Sequence, residues 1–204
     1  MTSKRLFVDL CDENRKRRLW PIALSITGNF FAQIVFAFIL MSNCEDRLKW
    51  DIGVTWAELQ SGFFVNVSGL GSIPILLIVF GLALINALNG FGYLFDSRLS
   101  DLYGALPVRR EKQFDAVCFN GIVIFVIPFV VCHIFTIVVA TAKGFVTISS
   151  LPLYVLCMLI TIILYVLAYM VYVLAAIMTG HVVVAALASG VFTLIGPAVY
   201  YGIQ

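Results

Sequence analysis

From Gly144 to Gln204 the chain runs for 61 residues without a single Asp, Glu, Lys or Arg. No water-soluble domain can be built on such a stretch, because roughly a quarter of the residues of a soluble domain are charged and clothe its surface. The deficit extends to the whole chain of 204 residues, which is 62% hydrophobic and 12% charged with a mean hydropathy of +1.04. Every one of its 13 basic and 11 acidic residues lies at or before Lys143. An ionised side chain at the middle of a bilayer-spanning helix costs roughly 2.5–3.5 kcal/mol on insertion scales, so long charge-free runs are what lipid-facing helices require.

Five stretches reach the roughly 20 apolar residues needed to cross about 30 Å of hydrocarbon: 20–42, 67–94, 117–142, 148–178 and 182–203. Runs this long exclude a transmembrane barrel, whose strands are about 10 residues and alternate in polarity. The expected fold is therefore all-α, a polytopic membrane helix bundle of about five transmembrane helices over 20–204. The first 19 residues carry six bases, and the segment 95–116 carries Arg98, Arg109, Arg110 and Lys112. Only Arg47, Lys49 and Lys143 remain, and the positive-inside rule then puts the N-terminus and 95–116 in the cytoplasm of a multi-pass cell-membrane protein, with 43–66 and 143–147 as outer loops. Thr179, Gly180 and His181 form a tight turn between the last two spans. Before the first span, Leu6, Phe7, Leu10 and Cys11 share one helical face, so 1–19 is expected to contain an interfacial helix, with Arg15 to Arg18 on lipid headgroups.

Chemistry-bearing motifs are scarce. No Gly-Lys pair exists to form a phosphate-binding loop, and neither a paired-histidine zinc motif nor a serine-nucleophile motif occurs. The spans hold no acid and a single histidine, His133, five residues after a Pro128 that is expected to kink the third span. No catalytic residue, metal site or cofactor is expected, and no basic, aromatic-interleaved surface suggests nucleic acid. The five cysteines fit neither a disulfide framework nor metal-ligand spacing. Within the spans, Asn29 with Gln33 and Asn86 with Asn89 each place two amides on one helix face. Such faces point inward, either to bond between helices or, with His133, to line a substrate path.

The segment from Tyr93 to Phe114 is the richest in the chain. Ser97 and Ser100 are candidate caps, Leu99, Leu102, Tyr103 and Leu106 form an apolar stripe at helical spacing, and Gly104 with Pro107 ends it. A short amphipathic helix of this kind needs the membrane interface or a groove in a partner to pack on.

These residues resemble a known element. Asp101, Tyr103, Leu106, Pro107, Arg110 and Phe114 follow the pattern of the loop between the second and third spans in permeases of type-2 ATP-binding-cassette exporters, especially the multi-span permeases of Gram-positive bacteria, although Ser100 adjoins Asp101 directly where that family often has one residue between. Gly104-Ala105 departs from that pattern. The Thr-Gly turn before a Gly-rich last span, and the basic segment before Trp20-Pro21, are similar to the same permeases. The resemblance implies a permease subunit without ATPase activity of its own, exporting an amphipathic peptide, drug or lipid. It implies docking of a separate nucleotide-binding ATPase on Ser97, Arg98, Ser100, Asp101, Leu102, Tyr103, Leu106, Pro107, Arg110 and Phe114, and a second permease half or a dimer to complete the path. Because such permeases have at least six spans per half, the chain is expected to be the N-terminal part of a longer one or, failing that, a short protein that needs another polypeptide to complete the bundle. A non-transporting scaffold or sensor subunit is the alternative.

Overall fold

The computed structural model describes residues 11, 12, 16, 18–50, 53, 55–68, 72–95 and 109–203, with side chains described as far as Thr193. Six helices account for nearly all of these: α1 (Leu19–Trp50), α2 (Trp56–Val67), α3 (Ile73–Gly90), α4 (Arg110–Ala142), α5 (Leu151–Thr179) and α6 (Val182–Ile203). Four of them, α1, α3, α4 and α5, are long and apolar enough to cross a membrane. The fifth expected span, 182–203, falls on α6, which is helical over 22 residues but, over its described side chains, is a shorter apolar helix, Val182–Thr193, outside those four.

Large apolar side chains are exposed on every one of these helices, among them Leu77, Ile127, Val131, Val138, Leu167, Leu174 and Leu187. In water so much apolar surface would drive aggregation, whereas in hydrocarbon it carries no penalty. The chain is accordingly a multi-pass membrane protein in its described architecture.

Local sequence sets the helix ends. Thr55 caps α2 in a reciprocal box: the Glu58 N–H donates to Thr55 Oγ1 at 3.4 Å, and the Thr55 N–H donates to Glu58 Oε2 at 3.0 Å. At the end of α4 the Phe145 N–H donates to Ala140 O (2.9 Å) and the Gly144 N–H to Thr141 O (3.1 Å), with Gly144 at φ +82° as this stop requires. Gly180, at φ +60°, makes the expected turn from α5 to α6.

The region 43–66, expected to be a loop, is largely helical. It holds the end of α1 as far as Trp50, and α2, whose Leu59, Phe63 and Val67 lie buried at helical spacing below the Thr55 cap. The span expected at 67–94 is helical only from Ile73 to Gly90, followed by a single 3-10 turn at Gly92–Leu94. Pro128 sits inside α4, whose helix continues through it.

The fold divides into two compact units. One comprises 1–23, 80–124 and 165–204, and the other 24–79 and 125–164. In the second, Ala37, Met41, Phe63, Val67, Ala140, Phe145 and Tyr154 form a continuous core. Trp56 and Phe63 pack on Phe145 with centroids 4.9 and 5.2 Å apart, Gln60 Nε2 donates to Gly144 O at 2.8 Å, and Lys143 Nζ pairs with Glu45 Oε1 at 2.8 Å.

Candidate functional site

Within the unit that contains His133, the polar side chains of α1 form a ladder. Ser25, Asn29 and Gln33 recur every four residues on one face and are 0%, 1% and 2% exposed. Asn29 Nδ2 donates to Ser25 O at 2.8 Å, and Gln33 Nε2 lies 3.3 Å from Asn29 Oδ1 and 3.4 Å from Phe129 O of α4. Gln33 stands in a π-helical turn, Phe30–Val35, where the Phe36 N–H reaches back to Phe31 O. Such widened turns inside α-helices recur at functional sites, because the extra residue re-aims the side chains around it.

Opposite the ladder, α4 presents Phe129, His133 and Thr136 on its buried face. The His133 ring stacks on Phe129 at 5.7 Å and lies within hydrogen-bonding reach of the Tyr154 backbone. That contact is the hydrogen bond the structure offers the imidazole. Four buried polar atoms here have no partner among the described residues: Ser25 Oγ, Gln33 Oε1, His133 Nε2 and Thr136 Oγ1. Each such atom costs about 1–3 kcal/mol in a dry interior, so this set is a candidate for binding a polar group.

The other unit buries a different constellation. Asn86 Nδ2 of α3 donates to Tyr165 Oη of α5 at 3.0 Å, and Tyr165 Oη donates to Gly121 O of α4 at 2.9 Å. Gly121 is required by its neighbour, since a Cβ there would overlap the Tyr169 hydroxyl. Asn89, one turn from Asn86, is half-buried. The two amide pairs expected to share a path thus belong to different units.

Arg18 is 3% exposed, and a Cβ on Gly90, at the end of α3, would come within 2.7 Å of its guanidinium. It is packed inside this unit and not spread on headgroups, which corrects the expectation for that end of the basic run. Asn120 Nδ2 also donates to Cys11 O at 2.8 Å.

Of the expected docking segment, Ser97, Arg98, Ser100, Asp101, Leu102, Tyr103, Leu106 and Pro107 lie outside the described residues, as does most of 1–19. Its described flanks meet: the exposed Arg110 opens α4, and Phe114 packs on the fully buried Phe91 at 5.4 Å. Sequence reasoning overlooked Tyr165 and Tyr169, although with Tyr172 they fall at i, i+4 and i+7 and mark one face of α5. It also overlooked Ser25 and Thr136, whose spacing from Asn29 and His133 carried the same signal.

Comparisons with family models, with curated proteins and with solved structures return no match.

Proposed function

We propose that the chain is a transmembrane permease subunit of an ATP-binding-cassette exporter, with its N-terminus in the cytoplasm. The observation that carries this reading is the pattern from Ser100 to Phe114, in which an apolar stripe with Tyr103 ends at Leu106-Pro107. A separate ATPase docks on 95–116, and a second permease half or a second copy completes the path. Closure of the ATPase pushes on this segment, and α3 and α4, joined at its base by Phe91 and Phe114, pass the displacement on as rigid elements. Uncharged, aromatic-rich helices suit an amphipathic peptide, drug or lipid as cargo. The polar atoms left over around Gln33 and His133 supply hydrogen bonds to its polar part.

Affinity purification of the tagged protein from native membranes in mild detergent tests this directly. An ATPase bearing a phosphate-binding loop is expected with the wild type and is lost with Leu106→Asp. Pro107→Ala should uncouple transport from ATP hydrolysis while the helices stay folded. A correctly inserted protein that brings down no ATPase would instead be a scaffold or sensor subunit.

A further inference from the structure

A cleft of about 660 Å³ opens between the C-terminal end of α1 and α2, within the size range of small-molecule sites. Leu40, Leu59 and Phe63 give it an apolar floor, and Asp46, Arg47 and Glu58 put both signs of charge on its rim. Its α2 wall is held in place by the Thr55–Glu58 cap, the Gln60 bond to Gly144 and the packing of Trp56 and Phe63 on Phe145.

The level of the cleft is marked by tryptophan. Trp50 is 84% exposed and Trp56 38%, and exposed indoles at the end of an apolar stretch mark the membrane–water interface. The charge-free part of α1 stops at Cys44, so the cleft begins among apolar residues and ends among ionised ones. Glu58 stays ionised, because the Thr55 N–H bonded to its carboxylate holds its pKa below the usual range. Thr55 engages one carboxylate oxygen, Oε2. Asp46 is bound only loosely, by Lys49 at 3.5 Å in a solvent-exposed pair of a kind that contributes little.

We propose that this cleft binds a phospholipid with a zwitterionic, primary-amine headgroup drawn from the surrounding bilayer. The ammonium donates to Glu58 and Asp46, the phosphate accepts from Arg47, and the proximal acyl chain lies on Leu40, Leu59 and Phe63. A quaternary headgroup lacks the N–H donors, and an anionic one brings like charge to the two carboxylates. The assignment stands independently of the permease reading.

Gly62 allows a clean test. It lines the cleft, and a Cβ there meets nothing within 4 Å, so Gly62→Leu starts into open space, occupies the cleft and favours the helix. Native mass spectrometry of the purified full chain, titrated with dioctanoyl phosphatidylethanolamine, is expected to show one retained lipid that Gly62→Leu abolishes. Glu58→Gln keeps the cap, since Gln serves at that position, and should weaken binding about tenfold, as should exchanging the lipid for phosphatidylcholine or phosphatidylglycerol. In the wild type the lipid should also slow alkylation of Cys44, which lines the cleft and is half-buried. Equal retention of all three lipids, or undiminished binding in a folded Gly62→Leu variant, would overturn the proposal. Equally tight binding of water-soluble glycerophosphoethanolamine would overturn the assignment to a bilayer lipid.

Discussion

In the unit that contains Tyr165, a buried amide donates to a hydroxyl and the hydroxyl to a backbone carbonyl, leaving only Asn86 Oδ1 over in that chain. In the unit that contains His133, Ser25 Oγ, Gln33 Oε1, Ser72 Oγ, His133 Nε2 and Thr136 Oγ1 are left without partners among the described residues. The difference separates two uses of polarity in an apolar setting. A chain of donors matched to acceptors ties helices together, whereas unmatched polar groups are kept at a cost in stability and await a further group.

Several substitutions would break or sharpen this contrast. Gly121→Leu forces a side chain into the Tyr169 hydroxyl, and overpacking of that kind should cost about 3 kcal/mol, read as a lowered thermal midpoint in detergent. Tyr165→Phe removes both bonds of its hydroxyl and should cost about 1–2 kcal/mol by the same measurement. Thr136→Val and Ser25→Ala delete atoms that have no partner among the described residues, so each should leave stability unchanged or raise it by about 1 kcal/mol while transport falls. If these two destabilise as much as Tyr165→Phe, the His133 set is structural and the distinction fails.

The smallest expected effect lies at the charged end of the second unit. The Thr55 N–H lowers the pKa of the Glu58 carboxyl, so the capping contribution is fully present above the ordinary Glu value of about 4.3. It is lost as the pH falls through the lowered value, because the unfolded chain then takes up the proton first. Unfolding followed from neutral to acidic pH should show this decline, and Glu58→Gln should remove its share of the slope.

The spans were legible in the sequence because insertion depends on composition over about 20 residues, which needs no tertiary contact. Helix ends were less so. The Thr-Trp-Ala-Glu capping box at Thr55–Glu58 and the apolar positions Leu59, Phe63 and Val67 were present to be read, but high hydropathy was the signal in use and this amphipathic stretch falls below it. Asn29 and Gln33 were placed inward correctly, since amides avoid lipid. Their π-helical turn left no mark in the local pattern, and neither did the bond of Gln33 within it to the backbone of a helix 96 residues away. Arg18 misled for a related reason: a base beside a span reads as a headgroup contact until a glycine, Gly90, opens space to bury it.

The sequence by itself determined an all-helical membrane protein, its apolar stretches, the turn at Gly180 and the inward placement of Asn29, Gln33 and Asn86, since each follows from local composition and backbone preference. Only the tertiary structure decided which polar groups meet and which are left over. That outcome depends on the register of α1, α3, α4 and α5 against one another, and uniformly apolar helix surfaces leave that register unmarked in the sequence.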